Sequence, residues 1–232
     1  MVSQGGGVTP NNRVGQDNGM RLDHISYACT GSELADVVQR IGVDLGFTFV
    51  DGGRHPSFGT RNFTLPLADG AYIEVVSALD HPSALKAPFG QAVQQAANNG
   101  GGWMSWVLAT DDISRAESVL GRKAAKGHRV RPDGVELHWR QLGVMDTMSH
   151  PQSPFFVQWE SSADQHPSHG GQAGGIRVHK IEINCPTQDL GPLAPDLEKF
   201  DDLVTWIDDP ENDQMGVSAV WFETPHGLVK ID

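Results

Sequence analysis

"RLDHISYA" spans residues 21–28. Its alternation reads as a strand with Leu22, His24, Ser26 and Ala28 on one face and Ile25 and Tyr27 on the other. The next fifty residues decide the fold. "GSELADVVQRIGVDLG" (31–46) carries Leu34, Val37, Val38 and Ile41 at helical spacing, with Ser32 placed as an N-cap. "FTFVDGG", "TRNFTLPL" and "AYIEVVSA" then read as three strands. The order is strand, helix, strand, strand, strand.

The same order returns downstream. "WMSWVLAT" (103–110) is a strand, and Asp111 or Asp112 caps a helix in "ISRAESVLG" with Ile113, Ala116, Val119 and Leu120 on one side. "HRVRP", "VELHWRQLGV" and "PFFVQWES" complete the set. A looser third echo starts at "RVHKIEINCP" (177–186) and runs through "LAPDLEKF", "LVTWIDD", "VSAVWFETP" and "LVKID". The joins "QAANNGGG" (95–102) and "HPSHGGQAGG" (166–175) are rich in Gly and Asn or Gly and His. This divides the chain into a polar, aperiodic leader over 1–19, modules over 20–100 and 101–170, and a partial C-terminal module over 171–232. The class is α+β: repeated βαβββ modules, each burying one sheet face on its helix, and pairing two such modules would cover the other, curved faces and leave a cavity between them.

Composition removes several function classes. The chain has 232 residues, with 17 Lys and Arg against 29 Asp and Glu, for a net charge of −12. That surface repels phosphate backbones and anionic lipid, so neither nucleic acid nor a membrane is an expected partner. No apolar run has the length of a bilayer span. Cys29 and Cys185 lie far apart and form no CxxC pair, which argues against a thiolate zinc site or a disulfide framework and for a cytoplasmic location. A small-molecule ligand is the expected partner, to a monomer or a homodimer.

The pieces "LDHISYA", "GGRHPSFGTRN", "AYIEVVS", "RPDGVELHWR", "PFFVQWE" and the closing "TPHG" together resemble the glyoxalase-like domain group of the vicinal oxygen chelate superfamily, which includes glyoxalase I, extradiol dioxygenases and bleomycin-resistance proteins. The resemblance covers residues 20–232. It implies that two βαβββ modules face each other, that Ile25 and Tyr27 pack on the helix, and that His24 and Ser26 point into the cavity. In the module's last strand it turns Ile73 and Val75 outward and leaves Tyr72, Glu74 and Val76 inside.

An imidazole and a carboxylate that converge in a cavity can hold a divalent ion. Members of the superfamily take metal ligands from these positions in each module, so His24 and Glu74 are candidate ligands, with Glu74 a candidate catalytic base. Sliding the first module onto the second puts Ser105 at the second histidine position and Gln158 at the second carboxylate position. Gln158 or Glu160 would then close the site, and His138 is a further candidate. Also open are a metal-free polar cavity and a plain core pair in which His24 and Glu74 satisfy each other.

Substrate-contacting candidates are His55, Arg61 and Asn62 in the first module, with Arg61 able to pair with a carboxylate or phosphate. The alternative is a loop held by its own side chains. Trp159 and His138 join them from the second module. Trp103, Trp106, Trp139 and Trp159 are either core or the walls of an aromatic pocket. His166 and His169 read as a solvated loop, and His179 as packing. Three functions remain: a metal-dependent lyase, isomerase or dioxygenase acting on a small oxygenated metabolite, a metal-free binding protein of the drug-resistance type, and a structural partner protein.

Overall fold

The computed structural model describes residues 19–169, 175–185, 190–208 and 214–232. All but the last residue of the leader, and residues 170–174 of the second join, lie outside them. The first module holds β1 (Arg21–Ala28), α1 (Leu34–Leu45), β2 (Val50–His55), β3 (Thr60–Pro66) and β4 (Tyr72–Ala78). Two helices, α2 (Pro82–Lys86) and α3 (Pro88–Asn98), link it to the second. The second holds β5 (Gly102–Ala109), α4 (Ser114–Leu120), β6 (Ala125–Val130), β7 (Glu136–Leu142) and β8 (Phe155–Trp159).

The eight strands close into one barrel in the order β1-β4-β3-β2-β6-β7-β8-β5. Each module therefore contributes the same four-strand arrangement. β1 and β5 run antiparallel at one seam, and Arg54 against Val130 closes the other. The strand period sorts side chains between two cores. Ile25, Tyr27, Ile73 and Val75 face outward onto Leu34, Ile41 and Leu45 of α1. Ala28, Val76, Val107, Leu137, Trp139, Phe155 and Val157 fill the interior with Phe89, Ala92 and Val93 of α3. The spacing of those three α3 residues is helical, and the helix blocks the end of the barrel toward which β1 and β4 run.

Helix entry differs from the expectation at Ser32. Glu33 reaches back and accepts hydrogen bonds from the Thr30 amide and hydroxyl, at 3.0 and 2.6 Å, and α1 starts at Leu34. At α4 it is Asp112 that accepts the Ser114 N–H, at 2.9 Å.

The C-terminal unit contains β9 (Arg177–Asn184), α5 (Ala194–Leu197), β10 (Val204–Ile207), β11 (Gly216–Thr224) and β12 (Gly227–Ile231). Its string of elements repeats that of the modules, but its wiring does not. The sheet order is β10-β9-β11-β12, with β9 parallel to the strand that comes after it in the chain. In the modules the opening strand is instead parallel to the fourth. This sheet lies outside the barrel. Ile181, Ile183, Val220 and Phe222 join the outer core, and Trp103 of β5 donates its indole N–H to the Ile231 carbonyl at 2.8 Å. Cys29 and Cys185 are buried and are not joined by a disulfide. Among the described residues no helix is long and apolar enough to cross a membrane.

Candidate functional site

β1 and β4 are parallel neighbours with Ser26 beside Glu74, and alternation aims His24, Ser26, Tyr72 and Glu74 at the barrel axis. They line a cavity with His55, Phe58, Phe89, Arg129, Trp139, Gln141, Phe155, Val157 and Trp159. The free space is small: the centre of a water-sized sphere can sweep about 30 Å³ of it, room for only one or two waters.

The polar part is one connected array. The Glu74 carboxylate accepts from the Ser26 hydroxyl at 2.8 Å and from the Asn62 amide at 2.6 Å. The Asn62 carbonyl in turn accepts from Arg129 Nη1 at 2.9 Å. Gly52 makes that link possible, because a Cβ there would stand 2.1 Å from Asn62 Oδ1 and 2.8 Å from Arg129 Nη1. His24 lies flat on Tyr72, with centroids 4.5 Å apart, and its Nε2 is 3.8 Å from Glu74 Oε2. Its Nδ1 is 2.7 Å from Asp23 Oδ2. Asp23 is fully buried at an irregular step of β1, and its other oxygen accepts from Trp159 Nε1 at 2.9 Å and meets His166 Nε2 at 3.1 Å.

Burial alone would raise the Asp23 carboxyl's pKa, but hydrogen bonds from His166 and His24 outweigh it and hold the group well below the usual carboxylate range. An ionised Asp23 fixes the proton of His24 on Nδ1 and turns Nε2 toward Glu74. Burial, reinforced by the nearby Arg129, drives the His55 pKa far down, so this imidazole is neutral. Burial also pushes the Tyr72 phenol well up, with the charges of Asp23 and Glu74 adding to it. Arg129 is lowered by burial, partly offset by Tyr72 and Glu74. Its Nε has no hydrogen-bond partner among the described residues, and neither has the buried Ser105 hydroxyl.

The cavity brings together His24, Glu74, His55, Asn62 and Trp159 from the expected set, Asn62 through its bond to Glu74. Four other residues stand outside it. The Gln158 amide faces α4, where it accepts the Ile113 N–H at 3.1 Å and donates to the Asp111 carbonyl at 2.9 Å. Glu160 is exposed beyond the end of β8. Arg61 points outward, pairing with Asp51 at 3.0 Å and covering the Phe63 ring. His138 is on the outer face of β7 beside His128 and Glu136.

The reason for the Gln158 and Glu160 placement is register. Carrying His24 onto Ser105 carries Ser26 onto Val107. The parallel pairs Ser26 with Glu74 and Val107 with Phe155 then carry Glu74 onto Phe155, not Gln158. The two alignments differ by an odd number of residues, and an odd slip turns every side chain to the opposite face. The superfamily's chelate draws on both modules, and here the second offers Ser105 and a phenyl ring. His24 and Glu74 alone do not make up that ligand set, so no chemical step is assigned to an ion in the cavity.

Sequence reading passed over three members of the array. Asp23 is in the opening motif but looked outward by strict alternation. Arg129 sits in a short strand with no partner visible in the sequence. His166 comes from a loop that folds over the barrel end where β1 and β4 start, edge-on to Tyr72 and Trp159 at centroid distances of 5.6 and 4.9 Å.

Comparison with known proteins agrees with this architecture. No curated protein sequence matches the chain. A hypothetical protein from Staphylococcus aureus superposes with a TM-score of 0.52 at 16% identity, covering 92% of this chain and 86% of the other. A variant of the Streptomyces coelicolor methylmalonyl-CoA epimerase, in complex with 2-nitronate-propionyl-CoA, gives 0.41 at 19% identity over 61% of this chain and 98% of its own. The Mycobacterium tuberculosis methylmalonyl-CoA epimerase gives 0.40 at 16%, over 61% and 87%. The family model described as Glyoxalase-like domain matches residues 22–192. With that match spanning both modules of a vicinal oxygen chelate barrel, the chain belongs to the glyoxalase-like domain family.

Proposed function

We propose that the barrel is an isomerase- or lyase-type site that moves a proton at a carbon next to a carbonyl in a small anionic metabolite. The observation that carries this reading is the chain Asp23–His24–Glu74, held in a small pocket beside a buried guanidinium with a spare N–H. Glu74 is the base. Ser26 and Asn62 hold both its oxygens, so it is oriented before substrate arrives. His24, fixed through Nδ1 by Asp23, presents Nε2 to substrate oxygen or to the proton that Glu74 collects. Developing charge on that oxygen, or a substrate carboxylate, falls to Arg129, whose attraction is strong because the guanidinium is buried and little solvent can screen it.

Phe58, Phe89, Trp139, Phe155 and Trp159 exclude water and set the size limit. Any guest larger than a few atoms must displace some of these rings. The loop bearing His166 is the natural one to move, since it is joined to the barrel end through Asp23, Tyr72 and Trp159.

The aromatic lining also supports a second reading, a sequestering protein that binds a planar compound without converting it. One experiment separates the two. Small 2-oxo acids, 2-hydroxy acids and acyl thioesters are incubated with protein in D₂O, and exchange of the proton beside the carbonyl is followed by NMR. The first reading expects exchange that falls about 10²–10⁴-fold in Glu74→Gln. Saturable quenching of Trp139 and Trp159 fluorescence, with no exchange in any member of the panel, would replace it with the second.

A further inference from the structure

The outer face of the second module carries a cluster that the cavity does not use. His128 on β6 and His138 on β7 are direct cross-strand partners, and Glu136 is two residues before His138 on the same face. The imidazoles stack with centroids 4.9 Å apart and planes 30° from parallel. Both Nε2 atoms converge on one carboxylate oxygen, Glu136 Oε2, at 3.7 Å from His128 and 3.4 Å from His138. One ligand atom from each residue lies within 4.8 Å of the other two. All three side chains reach solvent, at 33%, 61% and 49% exposure for His128, Glu136 and His138.

We propose that His128, Glu136 and His138 form a surface site for a borderline divalent transition metal such as Zn²⁺, Ni²⁺ or Cu²⁺. Bonds of about 2.0–2.1 Å at tetrahedral angles place ligand atoms roughly 3.3 Å apart, so the two His–Glu separations need little adjustment. Two imidazoles and one carboxylate select these ions over Mg²⁺ and Ca²⁺, which take oxygen. A fourth position stays open to water. Two cations share this face: Arg140, which is held by Glu117 at 2.5 Å, and its exposed cross-strand partner Lys126, two residues before His128. Loading joins β6 to β7 across their outer face. The inward neighbours of these ligands are Arg129, Leu137 and Trp139, so an ion there stiffens one wall of the cavity from outside.

The test uses tag-free, metal-stripped protein near neutral pH. Zn²⁺ is titrated by calorimetry, Cu²⁺ is examined by electron paramagnetic resonance, and thermal unfolding is recorded with and without Zn²⁺. Expected are one ion per chain, a copper signal with nitrogen coupling, and a Zn²⁺-dependent rise in Tm. In His128→Asn/His138→Asn affinity drops by about tenfold or more and the Tm rise disappears. Both positions are exposed, so the variant keeps its fold, which circular dichroism checks. His24→Asn keeps the titration unchanged. No uptake by the wild type, or uptake that survives the double variant or is lost in His24→Asn, overturns the proposal.

Discussion

The two modules share a fold and divide the chemistry unequally. Register makes Asn62 the counterpart of Gln141, His55 of Gly127, and Glu74 of Phe155. On the inner face the first module thus sets an amide, an imidazole and a carboxylate where the second sets an amide, a glycine and a phenyl ring. On the outer face Arg54 and Arg61 of the first correspond to Lys126 and Arg140 of the second, and the His128–His138 pair lies one step beyond, where the first module's ladder has already ended at His55 and Thr60. The topology requires only apolar contact along each helix-facing side. Residues facing the axis are free to diverge once one module supplies the polar groups and the other supplies the wall.

The comparison breaks most severely at Trp139. Its ring occupies the space that Gly127 leaves, since a Cβ at that glycine would stand 2.2 Å from the indole. Trp139→Ala should cost about 3–5 kcal/mol, read by urea unfolding, because no neighbour can collapse into the void. A smaller loss would mean that the second module's wall is not close-packed.

The paired amides sharpen it next. Asn62 bridges two buried charged groups, whereas the bond at Gln141 is a neutral one from Trp139 Nε1 at 2.8 Å. Asn62→Ala is expected to destabilise by about 2–4 kcal/mol and Gln141→Ala by about 1 kcal/mol. Equal losses would remove the claim that polarity is concentrated in the first module.

Acid provides a third probe, specific to His55. Its folded-state pKa is depressed, so its contribution is complete above the unfolded value of 6.5 and is lost as pH falls below it. Stability should therefore fall on acidification from neutral pH by up to about 1.4 kcal/mol per pH unit, measured as urea midpoints. His55→Gln should flatten that slope, and a slope unchanged in the variant would show that His55 is not the group responsible. The smallest effect is expected outside the barrel. Arg61→Ala removes a half-exposed pair with Asp51 and should change stability by about 0.2–1 kcal/mol, leaving ligand exchange or binding in the cavity unaltered.

Much of the first module was legible in the residues. Alternation in 21–28 and 71–78 sorted Ile25, Tyr27, Ile73 and Val75 from His24, Ser26 and Glu74, because a half-buried strand must separate its two faces. Asp23 escaped that logic because an irregular step in the β1–β5 pairing interrupts it. Gln158 was misplaced because two short aromatic strands can be aligned in several ways, and only the hydrogen-bonded register distinguishes an even slip from an odd one. The C-terminal unit shows the same limit at a larger scale: its element string copies a module, yet its first strand pairs with its second.

The sequence alone determined the periodicities, and through them the elements, the two-module repeat and which side of each early strand is apolar. These are local properties, set by where a side chain must point along a helix or strand. The tertiary structure decided which polar atoms meet. The contacts of Asn62 with Arg129 and of Asp23 with Trp159 and His166 span 67, 136 and 143 residues. Such contacts result from how the barrel closes and which loop covers its end, and no stretch of chain encodes that by its own pattern.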